Sequence, residues 1–180
     1  METRPDFSAV VVAIPEADPL VGPLRAELDP AAGWGVPAHV SVLVPFVPPA
    51  DLDAEVLAAL GAVVAGVPAF TATFAEIAWV GETVVWLAPR PEEPFIALTR
   101  AVQDRFGLAA YEGRYGDEPV PHLTIGMDEP LPRLEAAAAQ VAAGLPLRAE
   151  IHSVRVITGR RAADSWSTVA ELALGPRCEG

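Results

Sequence analysis

Lysine is absent from this sequence, so all 12 of its basic residues are arginines. They stand against 24 acidic residues, which gives a formal net charge of −12 at pH 7. Non-specific binding of nucleic acid depends on basic side chains that neutralise phosphates, so a surface this acidic repels a long phosphate backbone. We therefore expect no long nucleic acid among the partners. Frequent Ala, Pro and Arg without Lys is also typical of a GC-rich bacterial genome.

Cysteine and long apolar runs are nearly as scarce. The single cysteine, Cys178, excludes an internal disulfide and a cysteine-based metal site. The apolar runs are broken by Pro, Gly and charge, and none approaches the roughly 20 residues that a membrane span needs. Residues 1–6 are mixed in charge and do not resemble a signal peptide. We expect a cytoplasmic monomer with no membrane partner.

Hydrophobic residues are plentiful, at 52% of 180 residues, so a sizeable core can form. Short β-branched or alternating apolar segments predict strands at 7–14, 39–46, 69–79, 83–88, 122–127, 147–158 and 166–174. Apolar residues at helical spacing predict helices that follow Asp18, Asp51, Pro94 and Leu131.

The order of these elements repeats along the chain. A helix, a His-containing strand, a helix and two strands occur over about 19–88 and again over 92–174. This repeat predicts an α+β fold of two lobes with antiparallel sheets, related by a pseudo-two-fold axis. No linker separates the halves, so we treat residues 1–180 as one domain.

Two segments carry the candidate chemistry, and each places a histidine two residues before a hydroxyl residue. Side chains at i and i+2 point to the same face of a strand, so His39 projects with Ser41, and His122 with Thr124. The apolar residues between them then face the core. Two such matches among three histidines have a chance probability on the order of 1–2%.

This pair of motifs suits the hydrolysis of a phosphodiester. Imidazole, with an ordinary pKa of about 6.5, can serve as base or as acid near neutral pH. The hydroxyls of Ser41 and Thr124 can donate hydrogen bonds to phosphoryl oxygens. The same histidines could instead be structural residues, or metal ligands, although neither motif has Asp, Glu or Cys at ligand spacing. The chemistry requires no metal and no cofactor.

The tetrapeptides His39-Val40-Ser41-Val42 and His122-Leu123-Thr124-Ile125 resemble the H-x-[ST]-x pair of the 2H phosphoesterase superfamily. Its bacterial branch contains 2'-5' RNA ligase-like proteins and RNA 2',3'-cyclic phosphodiesterases. The resemblance implies a bilobal fold with a central cleft and metal-independent action on 2',3'-cyclic phosphates. It also implies that His39 is the acid and His122 the base.

The sequence departs from that family in ways that bear on the substrate. RNA-processing members favour Thr and Leu in both motifs and carry basic residues around the cleft. Here the first motif has Ser41 with valines, and the chain is acidic. A small cyclic nucleotide, a short RNA end or an ADP-ribose-type cyclic phosphate therefore fits better than long RNA. Hydrolysis or ligation, and the regiochemistry of ring opening, stay open.

Three further residues are candidates for substrate binding. Arg114 and Tyr115 lie in the loop before the second motif and could reach a phosphate or stack on a base. Trp34 lies between glycines before the first motif and is the best stacking candidate among the tryptophans. The alternative to an enzyme is a module of the same fold that binds a nucleotide or phosphorylated metabolite without turning it over.

Overall fold

The computed structural model describes residues 4–108 and 118–177. Its eight strands are β1 Phe7–Ala13, β2 His39–Leu43, β3 Phe70–Val80, β4 Val84–Arg90, β5 Leu123–Met127, β6 Leu147–Ile151, β7 Ser153–Gly159 and β8 Ser167–Ala173. Its five α-helices are α1 Asp18–Leu28, α2 Pro30–Gly33, α3 Ala54–Ala65, α4 Glu93–Phe106 and α5 Leu131–Ala142. None of the helices in these ranges is long and apolar enough to cross a membrane.

The strands form two antiparallel sheets of four strands each. The first sheet has the order β2-β1-β7-β8 and the second has the order β5-β4-β3-β6. The α+β architecture with two antiparallel sheets and flanking helices is as predicted. The first His-containing segment forms β2, and His122 of the second lies directly before β5. Each of these strands lies at the edge of its sheet.

The two sheets are not built from the two halves of the chain. The first sheet combines β1 and β2 with β7 and β8 from the end of the sequence. The prediction of one strand over 147–158 is wrong, because the chain leaves the second sheet after Ile151 and enters the first at Ser153. The alternation of apolar and polar residues shifts by one position here, because His152 and Ser153 are both polar, and this shift is the local sign of the change that the prediction missed.

Helices from each half of the chain also pack on the motif strand of the other half. Helix α1 packs on β5 of the second sheet, whereas α4 packs on β2 of the first. The helix predicted from Asp51 begins instead at Ala54, where the side chain of Asp53 accepts the backbone N–H of Val56 and caps the first turn. One continuous apolar core joins both sheets and the helices that cover them.

Gly126 in β5 allows the close approach of α1. A Cβ at this position would lie 2.8 Å from the Cβ of Leu28 and 2.9 Å from the Cδ2 of Leu134. Real Cβ atoms essentially never approach other atoms so closely. The missing side chain therefore sets the position of α1, whose C-terminal end leads towards the first motif.

Candidate active site

The alternation predicted for the two motifs is present in the structure. Val40 and Leu123 are completely buried in the shared core, and His39, Ser41 and Thr124 on the opposite faces are half-buried. Strands β2 and β5 contact each other, so the two motifs lie side by side where the sheets meet. The fold thus places the two motif strands next to each other.

The two motif strands share the same irregularity. On β2, Ser41 pairs with Val11 but Leu43 pairs with Val10, so Val42 is an extra residue in the ladder. On β5 the extra residue is in the equivalent place, directly after Thr124. Such bulges re-aim side chains and are frequent beside active sites. The repeat therefore extends to the backbone of both motifs.

Each histidine is anchored through Nδ1 to the carbonyl oxygen two residues before it. His39 Nδ1 lies 2.7 Å from Pro37 O, and His122 Nδ1 lies 2.7 Å from Val120 O. A carbonyl oxygen can only accept, so each Nδ1 carries the proton and donates it. When the ring is neutral, its Nε2 is then left as the basic nitrogen.

The first hydroxyl interacts directly with its histidine. Ser41 Oγ lies 3.2 Å from Nε2 of His39. With the proton of the ring on Nδ1, this Nε2 accepts the hydroxyl hydrogen of Ser41. The contact favours a neutral imidazole and directs its lone pair to the same face of β2 as the hydroxyl.

Burial lowers the pKa of both histidines. Loss of water around the ring is the largest cause for His39, whose pKa falls to about 4 although its hydrogen bond to Pro37 opposes the shift. Positive charge on Arg25 and on His122 lowers this pKa further, and Asp29 raises it. Burial also lowers the pKa of His122, against the hydrogen bond to Val120. His122 is therefore close enough to His39 to lower its pKa.

A buried ion pair beside the first motif was not predicted from the sequence. Arg25 Nη2 lies 2.8 Å from Asp29 Oδ2, and each side chain is only 4% exposed. Oppositely charged residues four apart on a helix usually form a solvated surface pair, so the spacing alone gave no sign of burial.

Trp86 lies beside the second motif, on the strand that pairs with β5. It pairs with Thr124 across the sheet, as Val11 pairs with Ser41. Its ring meets that of His122 edge-on, with centroids 5.5 Å apart and planes at 68°. Its Nε1 is the one buried side-chain N or O atom without a hydrogen-bond partner in residues 4–108 and 118–177. Aromatic residues at alternate strand positions usually indicate core packing, and the sequence did not distinguish Trp86.

Of the three further candidates for substrate binding, the structure describes only Trp34. Trp34 ends α2, and its carbonyl accepts the backbone N–H of Trp166 at 2.9 Å, so it lies against the β7–β8 hairpin. Its role in substrate binding stays a prediction. Arg114 and Tyr115 lie outside the described residues. In the described ranges, no three residues of the types His, Cys, Asp and Glu are grouped so that they could hold a metal ion.

Two four-stranded antiparallel sheets, each with a His-x-Ser/Thr strand at its inner edge, define a two-lobed α+β protein of the 2H type. A family model described as the 2'-5' RNA ligase superfamily matches residues 13–163, and the chain belongs to this superfamily. The resemblance to 2H phosphoesterases is thereby confirmed. No curated protein sequence shows a significant match to the chain.

Solved structures share the fold at low sequence identity. LigT of E. coli complexed with 3'-AMP has a TM-score of 0.60 and 19% identity, over 95% of this chain and 99% of that one. TT0787 of Thermus thermophilus has a TM-score of 0.63 and 14% identity, over 94% and 98%. A crystal structure described as a phosphoesterase gives 0.61 and 17%, over 96% and 99%.

Proposed function

We propose that this protein is a metal-independent phosphoesterase that hydrolyses a 2',3'-cyclic or related cyclic phosphodiester. His39 and His122 are its acid and base, and Ser41 and Thr124 bind the phosphoryl group. The observation that carries the proposal is the matched pair of imidazoles, each held through Nδ1 to a carbonyl oxygen at 2.7 Å. With the proton on Nδ1, Nε2 is the basic nitrogen of each neutral ring, and we assign proton transfer to it.

The reaction needs one proton removed and one supplied. The base takes a proton from water as the water oxygen attacks phosphorus, and the bond from phosphorus to one ribose oxygen breaks. The acid protonates that leaving oxygen, so the product is a phosphomonoester. The resemblance assigns the acid to His39. The pKa of His39 is about 4 in the free protein. We propose that the negative charge of the bound diester raises this pKa, so that the ring takes up a proton when substrate binds.

The proposed substrate is a small nucleotide, a short RNA end or an ADP-ribose-type cyclic phosphate. The net charge of −12 disfavours a long phosphate backbone. Crystal structures of LigT, which has the same fold, are complexed with 3'-AMP, ATP, NADP+ and phosphate. These ligands support a cleft that accepts phosphate groups of nucleotides, here in a cytoplasmic monomer.

The test compares three histidine variants on 2',3'-cyclic nucleotides in the presence of EDTA. We expect His39→Ala and His122→Ala to lower kcat by about 10²–10⁴, the usual contribution of a general acid or base. His152→Ala is the control, because His152 is exposed between β6 and β7. Activity within tenfold of wild type in both cleft variants would contradict the mechanism. Nucleotide binding by calorimetry without any product would instead support a non-catalytic binding module.

A further inference from the structure

The first motif lies beside a buried ion pair that the reaction scheme does not use. Arg25 and Asp29 are one turn apart at the end of α1, and Nε and Nη2 of the arginine donate to Oδ2 of Asp29 at 3.1 and 2.8 Å. A buried pair loses its hydration, and apolar residues of similar volume often give equal or greater stability. Stability alone is therefore a weak explanation for this pair.

The remaining N–H groups of Arg25 reach the segment that carries the first motif. Nη1 and Nη2 both donate to Val36 O, each at 3.3 Å. Val36 immediately precedes Pro37, whose carbonyl accepts the Nδ1–H of His39. The guanidinium is thus bonded one peptide unit away from the group that orients the imidazole.

Asp29 holds the other end of the same segment. Its Oδ1 accepts the backbone N–H of Ala31 at 3.0 Å and caps α2, while its Oδ2 holds Arg25. The connection from α1 to β2 is therefore fixed at both ends by one pair of side chains. A displacement of about 1 Å at a reacting group can cost about a hundredfold in rate.

We propose that Arg25 and Asp29 are positioning residues that hold the Pro37 carbonyl in place and so fix the tautomer and orientation of His39. The inference rests on the proposed function for its effect on turnover, but not for its effect on the imidazole.

The opposite charges of Arg25 and Asp29 allow their effect on the position of His39 to be separated from their effect on its pKa. Arg25 and His122 lower its pKa, and Asp29 raises it. Arg25 and Asp29 act in opposite directions, so neutralising both together changes the electrostatic environment of His39 less than neutralising either one. Neutralising only one would also leave a buried charge without its partner, which is strongly destabilising.

The experiment therefore uses the double variant Arg25→Met/Asp29→Asn. Methionine keeps most of the length of the arginine stem without donors, and asparagine keeps an oxygen to cap α2. The matched control is Glu129→Gln/Arg133→Met, which neutralises an ion pair of the same i,i+4 spacing whose side chains are 30% and 48% exposed. Nitrogen-15 NMR of the histidine rings reports the tautomer, and kcat and KM are measured on a 2',3'-cyclic nucleotide.

We expect His39 to lose its single Nδ1–H tautomer in the double variant, while His122 keeps its own. We expect kcat to fall by about tenfold to a hundredfold, with KM within about threefold of wild type and the control variant unchanged. A folded double variant with wild-type ring signals for His39 and wild-type kcat would overturn the inference.

The positioning role can still be tested if the double variant does not fold or if the wild type has no activity. If the double variant does not fold, Arg25→Lys is measured by the same criteria, because it keeps the charge and loses the planar fork. If the wild type turns over no cyclic phosphate, the proposed function fails, and the ring signals of His39 alone still decide for or against the positioning role.

Discussion

The two His-x-Ser/Thr strands have the same backbone but different neighbours. Both anchor their histidine to the carbonyl two residues earlier, and both carry an extra residue after the hydroxyl. Beside the first lies the buried ion pair of Arg25 and Asp29, and beside the second lies Trp86. Features made by the strand itself are repeated, whereas features supplied by adjacent helices and strands differ. The two motifs are therefore alike in backbone geometry and different in the side chains that surround them.

After the histidine variants themselves, the largest expected effect tests whether the two hydroxyls are equivalent. We expect Ser41→Ala and Thr124→Ala each to lower kcat by about 10²–10³, the cost of removing one donor to developing negative charge. The loss should be greater for Ser41, which also bonds Nε2 of His39. Steady-state kinetics on a cyclic nucleotide measures it, with Ser167→Ala on exposed β8 as control. Unchanged kcat in both variants would show that neither hydroxyl touches the phosphoryl group.

The second effect is the pH dependence that follows from the lowered pKa values of both histidines. Because kcat/KM reports the free protein, both limbs of its pH profile should lie below the ordinary histidine value of 6.5. We expect a fall of about tenfold per pH unit above the upper limb. An upper limb above pH 7 would contradict this prediction.

Stability must be followed across the same pH range. The unfolded chain binds protons on its histidines near pH 6.5, whereas His39 in the fold does so near pH 4. Protonation therefore favours the unfolded state between these values, and stability decreases as the pH falls from 6.5 through 4. Circular dichroism at each pH separates this loss from a change in catalysis.

The smallest expected effect concerns the strands themselves, since Gly126 in β5 takes the place of Leu43 in β2. We expect Gly126→Ala to destabilise the protein by about 1–3 kcal/mol, because the new methyl group would collide with Leu28 and Leu134. Urea unfolding measures the difference. Gly33→Ala is the control, because a Cβ at Gly33 meets nothing within 4 Å. A wild-type midpoint for Gly126→Ala would mean that α1 can move away without cost.

Local pattern was enough to predict most of the elements and the shared face of each motif, but not α2 or the division of 147–158 into β6 and β7. The period-2 alternation in HVSVL and HLTIG separates half-buried polar positions from completely buried ones, as the structure has them. Burial of the residues between the hydroxyl and histidine positions follows from the pleat of any strand with one face in the core.

What the sequence did not reveal depends on distant parts of the chain. Two successive polar residues, His152 and Ser153, mark the break locally, but the pairing of β6 with β3 and of β7 with β1 has no local signal. The burial of Arg25 depends on the segment that returns over it to Val36. Long-range pairing and covering of this kind leave no periodic signal.

The position of β1 between β2 and β7 has a consequence for biosynthesis. Phe7 pairs with Gly159, so β1, which is synthesised early, cannot complete its hydrogen bonding until β7 has been synthesised. Translation releases His39 and Ser41 long before β7 leaves the ribosome, and until then β1 has only β2 beside it. The sheet that holds the first motif can therefore be completed only near the end of translation. A chain terminated at His152 keeps every residue assigned to the chemistry and still lacks the scaffold that aligns half of them.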